Sequence, residues 1–429
     1  MIWKYRYTAL FALFMIWIVS YLDRMAMATA IPYIAKEFNL TPVAKGVVMS
    51  AFFVGYASFQ IPGGILADKF GPRKVLSGAI LWWSAFTLFT GTVTSLFSMI
   101  WIRVFFGVGE GIAPAATWKA CANWSPAKER SATSALMMCS NALGPALAPL
   151  FVTAVMAAWG WRAVFYSLTF PGLLLVLWIW FGLADNPAQK KGITQAELDE
   201  LKTDKPLGAS LTGTKMTFWE VLRQEPVWKS FFILFFSNIT AWGFQSWLPT
   251  YLVRARGISL GQLGFAASLP FFAGTVGWAL GGWVSDHPFK HNRKIPLIAA
   301  QWITAVLLYK TYTAGTIHAL LWWETAAGFT LFFNNGVVFG LPVSAISKEI
   351  TGRAMGIVNT AGQCAGFLSP LIVGYLVQIS GGGARSFDTA FMFLIGAILV
   401  SSLVGMTFPR SRMEVVAEVP AFKEAGSSR

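Results

Sequence analysis

The chain has 429 residues, of which 55% are hydrophobic and only 12% are charged. Because soluble globular domains carry about 25% charged residues, this composition excludes a soluble enzyme or binding domain and predicts a polytopic membrane protein. The formal net charge of +14 does not indicate nucleic-acid binding, because lysine and arginine gather in short loops on alternate sides of the apolar segments, as they do across a membrane.

Twelve apolar segments are each long enough to cross a bilayer as a helix, which predicts an all-α membrane protein. With the N-terminus inside, most of the 33 lysines and arginines fall on the cytoplasmic side, so we expect both termini in the cytoplasm. The first segment is too long for a signal peptide, so we expect no cleavage. The predicted spans are 8–32, 45–67, 75–93, 97–117, 131–157, 163–185, 228–252, 262–285, 295–311, 316–342, 353–379 and 386–408.

A single long polar segment separates the first six spans from the last six. This predicts an N-terminal six-helix bundle (1–185), a cytoplasmic linker (186–227), a C-terminal six-helix bundle (228–409) and a polar cytoplasmic tail (410–429). In the linker, Thr194 and Glu197 have the spacing of a capping box. The stretch 217–229 mixes aromatic and charged residues, which predicts an amphipathic helix at the inner membrane surface.

The first span contains Asp23 and Arg24 side by side. A charge at membrane depth costs at least about 2.5–3.5 kcal/mol per residue. The pair therefore either lines a path for a substrate or ion, or locks helices together as a neutral unit.

The fourth span contains Arg103 and Glu110, which are about two turns apart on one helix face. Burial favours the neutral form of a carboxyl group, whereas a nearby arginine favours the charged form. Pairing and unpairing would therefore switch proton affinity. The alternative is a fixed Arg103–Glu110 salt bridge that does not titrate.

The second half carries polar residues inside apolar runs. Gln245, Asn335 and Asn359 are the candidates for hydrogen bonds to a substrate, although each could equally join helices. Glu324 is predicted to form an ion pair with Lys310 at an outer gate. Ser246 and Asn334 are further polar residues, and an aromatic set hints at an apolar or planar part of the substrate: Trp242, Phe271, Phe272, Trp278, Phe332 and Phe333.

The two halves repeat a loop pattern. Gly64 precedes Asp68 by four residues, as Gly282 precedes Asp286, and basic residues follow in both. We interpret Asp68, Arg73 and Asp286 as gating residues of a charge latch, with a topology signal alone as the alternative. Two six-span halves in parallel repeat are a transporter architecture, with the substrate site between them near the midplane.

The run Gly64-x-Leu66-Ala67-Asp68-Lys69-x-Gly71-x-Arg73-Lys74 resembles the loop signature of the major facilitator superfamily. The segments 21–24, 103–114 and 123–132 resemble the anion:cation symporter family, which includes bacterial sugar-acid:proton symporters, sialin and the vesicular glutamate transporters. The resemblance implies that Asp23 and Glu110 are protonation sites and that Arg103 is their coupling partner. It also implies that Arg24 binds the acid group of the substrate beside the Tyr21 hydroxyl, unless Tyr21 only packs between helices.

The resulting expectation is proton-coupled symport of a small organic anion, such as a sugar acid, by a monomer in the bacterial inner membrane. Antiport is the alternative, because Gly144-Pro145 partly resembles the glycine-rich signature of drug antiporters. The central parts of spans seven to twelve lack Arg and Lys, which argues against a doubly charged phosphate. We expect no enzyme activity, metal or cofactor, since the sequence shows no nucleophile–base pair, metal cluster or phosphate loop. His287 and His291 share a loop whose proline and lysine argue against a metal site.

Overall fold

The computed structural model describes residues 4–190, 192–202, 218–290, 292–338, 340–341 and 351–408. Within this part the chain forms thirteen α-helices and no strand. The helices are α1 (Tyr5–Glu37), α2 (Pro42–Phe70), α3 (Pro72–Thr90), α4 (Leu96–Trp124), α5 (Arg130–Gly182), α6 (Gln195–Lys202), α7 (Phe218–Leu222), α8 (Glu225–Arg254), α9 (Leu260–Asp286), α10 (Lys294–Thr313), α11 (Ile317–Val338), α12 (Thr351–Ile379) and α13 (Ser386–Met406).

These helices supply twelve transmembrane spans. The 53-residue α5 crosses twice, because Gly160 adopts φ 81° and ψ 172° and so breaks the helix where the fifth and sixth spans were expected to separate. That backbone conformation is one that glycine adopts readily. Seven helices of the described chain are long and apolar enough to span a membrane by length and composition alone. The others are α3, α8, α10 and α11, together with the second crossing of α5.

The spans form two six-helix bundles. In the first bundle, α1 packs on α5, α2 on α4, and α3 on both α4 and α5. In the second, α8 packs on α12 and α13, α9 on α11, and α10 on α11 and α13. The bundles meet where α2 contacts α12, α5 contacts α9, and α1 contacts α8.

Among the described residues, the bundles contact each other mainly near one face. We call the face with Lys4 and Phe408 the inner face and the opposite one the outer face, following the orientation that the charge distribution predicts. Near the outer face, Ser50 Oγ donates to the Phe367 carbonyl at 2.5 Å and the Val43 amide donates to Gln378 Oε1 at 3.2 Å. Just below, the rings of Phe53 and Trp242 meet edge to face at 5.0 Å. Toward the inner face, the ends of α2 and α12 include many exposed residues.

The linker helix α6 belongs physically to the first bundle. The Glu197 amide donates to Thr194 Oγ1 at 3.3 Å, which is half of the predicted capping box. The Glu197 carboxylate does not complete it. It accepts instead from the Tyr5 and Arg6 amides at 3.3 and 2.7 Å, which caps the start of α1. Arg6 and Lys4 both donate to Glu200 at 2.6 Å.

The helix predicted for 217–229 is discontinuous. α7 ends at Leu222 and α8 begins at Glu225. Val221 and Val227, on either side of the break, are both fully buried in the second bundle rather than arranged along a membrane surface. Residues 203–217 and the predicted tail 410–429 lie outside the described residues.

Candidate substrate cavity

A cavity of about 240 Å³ lies between the two bundles. Both halves contribute carboxamide side chains and aromatic rings to its wall. The carboxamides are Gln60, Asn141, Asn238, Gln245, Asn335, Asn359 and Gln363. The rings are Trp17, Tyr21, Tyr56, Trp118, Trp242, Trp278 and Phe332. Arg24 is the one charged residue among the lining side chains of the described chain.

Arg24 is held by one carboxylate and three rings. Its Nε donates to Glu110 Oε2 from α4, and this ion pair is buried on both sides. The guanidinium carbon lies 5.0 Å from the centre of the Tyr21 ring, 4.8 Å from Phe52 and 4.5 Å from Tyr56. Aromatic faces attract such a cation, so the rings and the carboxylate together hold the guanidinium at the cavity wall.

Glu110 therefore pairs with Arg24 and not with Arg103, the partner that the sequence favoured. Among the described residues, no hydrogen bond or ion pair joins Arg103 to Glu110, which lies about 10 Å further along the helix axis. Arg103 is buried behind the cavity and lies over Phe52 and Phe106, at 5.3 and 4.7 Å from the ring centres. Its charge still interacts with Glu110 and Asp23.

Asp23 is the third member of this group. It is buried, and its Oδ1 has no hydrogen-bond partner within the described residues. Its charge interacts with Glu110 and Arg103, and the described ion pairs include none between Asp23 and its sequence neighbour Arg24. Asp23, Arg24, Arg103 and Glu110 thus form one buried cluster, of which Arg24 faces the cavity.

Close packing of α2 on α4 places this cluster. A Cβ on Gly107 would collide with the Phe52 carbonyl oxygen, so the two backbones touch at this level. This contact puts the Phe52 ring within reach of both Arg24 and Arg103. Gly107, one turn before Glu110, thus serves close packing of the helices rather than opening space beside the carboxylate.

Tyr21 has partners on both sides. Its hydroxyl donates to Asn141 Oδ1 on α5, and its ring stacks on Trp17 with ring centres 6.4 Å apart. The residue therefore lines the cavity and also packs between helices.

The three polar candidates of the second half, Gln245, Asn335 and Asn359, all line the cavity. Asn359 Nδ2 lies 3.5 Å from Gln60 Oε1 of the opposite bundle. Ser246 and Asn334 are not among the lining side chains. Of the aromatic set, Trp242, Trp278 and Phe332 face the cavity, whereas Phe271, Phe272 and Phe333 do not.

Four carboxamide residues of the wall were missed by the sequence reasoning: Gln60, Asn141, Asn238 and Gln363. Each lies in an apolar run, as Gln245 does. The same signal, a carboxamide at membrane depth, could have identified them.

The proposed gating residues make contacts within their own bundles. Asp68 pairs with Lys119 of α4 at 2.7 Å, and Asp286 pairs with Arg293 at 2.9 Å. The Arg73 amide donates to Asp185 Oδ1 at 2.7 Å, while its guanidinium lies over Trp180. Among the described ion pairs, none joins the first bundle to the second. Within the part of the chain that the structure describes, a charge latch between the bundles is therefore not formed in this conformation.

Glu324 does not pair with Lys310 as predicted. Its side chain is 0% exposed, and neither carboxylate oxygen has a hydrogen-bond partner among the described residues. Lys310 is exposed. The described chain also contains no group of three or more His, Cys, Asp or Glu side chains that could hold a metal. His291, one of the two loop histidines, lies outside the described residues.

A central cavity between two pseudo-symmetric six-helix bundles defines a membrane transporter rather than an enzyme. The family model described as "Major Facilitator Superfamily" matches residues 13–370. The chain belongs to this superfamily.

Its relatives are organic-anion transporters. It is 34% identical to the probable sulfoacetate transporter SauU of Cupriavidus necator, over 92% of each chain. It is 31% identical to the probable galactarate/D-glucarate transporter GarP of Escherichia coli, over 94% of each chain. It is 28% identical to the hexuronate transporter of Bacillus subtilis, over 93% of each chain. These likenesses show a transporter of the organic-anion type.

The fold is also that of a solved structure. A bacterial homologue of the human lysosomal transporter Spinster, crystallised in an inward-facing and unoccupied conformation, superposes with a TM-score of 0.75. The match covers 97% of this chain and 98% of that one at 18% identity. The likeness confirms the predicted fold of twelve helices in two bundles.

Proposed function

We propose that the protein takes up a small organic anion together with protons, by alternating access. The substrate is a carboxylate, such as a sugar acid. The observation that carries this proposal is the buried ion pair between Arg24 at the cavity wall and Glu110 behind it.

This pair links proton binding to substrate binding. A guanidinium binds a carboxylate well because its fork of donors matches the two oxygens. In the empty cavity, Glu110 occupies the guanidinium. Protonation of Glu110 removes its charge and releases Arg24 for the substrate, and a bound substrate in turn favours the protonated form of Glu110. Each ligand raises the affinity for the other, which is the requirement for symport and the opposite of exchange.

Asp23 and Arg103 extend the proton path behind the cavity. Both are buried and interact electrostatically with Glu110. When Glu110 takes up a proton, it no longer carries a negative charge near Arg103. The positive charge of Arg103 then acts chiefly on Asp23. We propose that Asp23 is the second protonation site and that Arg103 couples the two carboxyl groups.

The cavity wall supports a substrate with one anionic group and many hydroxyls. Arg24 is the one charged residue among the described lining side chains, and seven carboxamides surround the remaining space. Carboxamides offer both donors and acceptors, which suits hydroxyl groups. Trp17, Trp118, Trp242 and Trp278 add flat apolar surfaces for the C–H faces of such a molecule. Gln245, Asn335 and Asn359 supply the contacts from the second bundle.

The setting follows from the relatives and the charge distribution. We propose a bacterial inner membrane with both termini in the cytoplasm, since the inner-face loops are the basic ones. One chain encloses a complete cavity between its two bundles, so we propose that a monomer is functional. We also propose that the two bundles comprise residues 1–185 and 228–409. Asp68, Arg73 and Asp286 are proposed as gating residues at the inner face.

A ligand panel tests this function. The purified protein is heated with a hexuronate, a hexonate, a hexarate and sulfoacetate, and the melting temperature is followed. We expect the singly charged sugar acids to stabilise the protein, with no effect on the Arg24→Ala variant. Arg162→Gln, which removes an arginine far from the cavity, is the control and should respond as the parent does. Stabilisation of Arg24→Ala equal to that of the parent would contradict the role of Arg24.

A further inference from the structure

A carboxyl group buried in the second bundle lies outside the cavity. Glu324 is on α11, about two turns from the outer end of that helix. It is fully buried, it is not among the cavity-lining residues, and neither of its oxygens has a hydrogen-bond partner in the described part of the chain. An isolated carboxylate removed from water is so costly that it takes up a proton instead. The burial of Glu324 and its lack of described hydrogen-bond partners therefore indicate that its carboxyl group is neutral in this conformation.

One cation stands close to Glu324 without bonding to it. Arg256, in the loop after α8, interacts electrostatically with the carboxyl group. Its guanidinium is already engaged by the Tyr251 hydroxyl at 2.7 Å and by the Ala314 and Thr311 carbonyls at 2.8 and 3.2 Å. Arg256 thus ties the end of α8 to the end of α10 in this conformation, and a movement of either helix would free its donors.

The remaining titratable groups near the outer end of α11 do not neutralise Glu324. From α8, Tyr251 faces it. On α10, Lys310 and Tyr309 are exposed, and Tyr312 bonds to Met392. Asp388 at the start of α13 and His318 on α11 itself are exposed. The outer part of α9, from Leu260 to Trp278, carries no titratable side chain.

We propose that Glu324 is a proton-binding site of the second bundle, separate from the Arg24–Glu110 cluster. It holds a proton while the outer face is closed, as in this structure. It releases the proton when opening of the outer face lets the carboxylate meet Arg256 or water. Because the closed state binds this proton more tightly, acidic conditions favour closure of the outer face, by the linkage that any ligand obeys.

Distances between spin labels test the proposal. Lys36 and Ser380 are exposed at the outer ends of the first and second bundles, so cysteines placed there report opening once Cys121, Cys139 and Cys364 are replaced by serine. In the parent protein, the long-distance population should grow from acidic to alkaline buffer. Glu324→Gln mimics the protonated acid and should keep the short distance in alkaline buffer. Lys310→Gln, which removes an exposed charge nearby, should respond as the parent does. A Glu324→Gln protein with the pH response of the parent would overturn the proposal.

A second measurement works without that variant and separates this site from the cavity cluster. The double variant Asp23→Asn/Glu110→Gln removes the two carboxyl groups on which the proposed function depends. Its infrared spectrum at neutral pH should still contain the carbonyl band of a buried protonated carboxyl group. Absence of the band would overturn the assignment to Glu324. Its presence would support the site even if the double variant and the parent accumulate substrate equally.

Discussion

Arg24 illustrates how a charged residue is kept in a membrane helix at the point of use. Glu110 neutralises it, and Tyr21, Phe52 and Tyr56 surround it with ring faces. Such rings hold the guanidinium without competing for all of its donors. If Arg24 binds the substrate as we propose, it is positioned for the anion before the anion arrives, which lowers the cost of ordering the site on binding.

Replacing Arg24 tests this positioning. We expect Arg24→Ala to abolish substrate binding. Arg24→Lys should weaken binding by at least about tenfold, because a point charge cannot make the two parallel hydrogen bonds of a guanidinium, and hydrogen bonds to charged groups contribute about 1.5–3 kcal/mol. Isothermal titration with the best ligand of the panel measures both. Unchanged affinity in Arg24→Lys would show that the guanidinium fork is not used.

Many residues of the site could be predicted from their types, but which of them form ion pairs with one another could not. Charges and carboxamides at membrane depth identified Asp23, Arg24, Arg103, Glu110, Gln245, Asn335 and Asn359 as candidates. The partner of Glu110 was not predictable, because spacing along one helix says nothing about a neighbouring helix. Contacts between helices also determine that Glu197 caps α1 and that Glu324 has no ion-pair partner among the described residues.

At the level of the helices, the spans followed from apolar length, while their packing depends on small local features. Gly107 allows α2 and α4 to touch, and this contact positions the Phe52 ring between Arg24 and Arg103. Gly160 ends one crossing of α5 and begins the next. Near this break, the Glu37 carboxylate accepts from Trp161 Nε1 at 2.7 Å and from Arg162 at 2.7 and 3.0 Å, which fastens α5 to the end of α1.

Gly107→Ala tests the contact between α2 and α4. The added methyl group has no space against the Phe52 carbonyl, and overpacking of this kind costs about 1–3 kcal/mol. We therefore expect a lower melting temperature and weaker substrate binding, because Phe52 must move. Gly78→Ala is the matched control, since a Cβ there meets no atom within 4 Å. Equal melting temperatures for the two variants would contradict the packing argument.

The Glu37 contacts predict a pH-dependent contribution to stability. Hydrogen bonds from Arg162 and Trp161 lower the pKa of Glu37 below its usual value. A lowered folded-state pKa contributes stability above the unfolded value of about 4.3, and this is lost as pH falls through the folded value. Glu37→Gln should therefore destabilise the protein by no more than about 1 kcal/mol at neutral pH, since the pair is at the surface. The difference should vanish in strong acid. Melting temperatures at both pH values check this, and an equal gap at both would argue against the ion pair.

The whole molecule is closed at the outer face and joined there by contacts that must break during transport. Ser50, Phe53 and Val43 of α2 contact the second bundle, whereas the described ion pairs of the inner face stay within one bundle or join it to α6. The cavity with Arg24 lies between the two faces, so one rocking motion would expose it to either side in turn. Whether that motion moves protons with the anion depends on Glu110.

Accumulation of the anion against its gradient tests the central claim most directly. Proteoliposomes with the parent or the Glu110→Gln protein are given an acidic outside buffer and a labelled ligand from the panel. The parent should concentrate the ligand inside. Glu110→Gln should only equilibrate it, because Arg24 is then free at every pH and substrate binding no longer depends on protonation of Glu110, while counterflow exchange continues. Equal accumulation by the two proteins would contradict proton coupling through the Arg24–Glu110 pair.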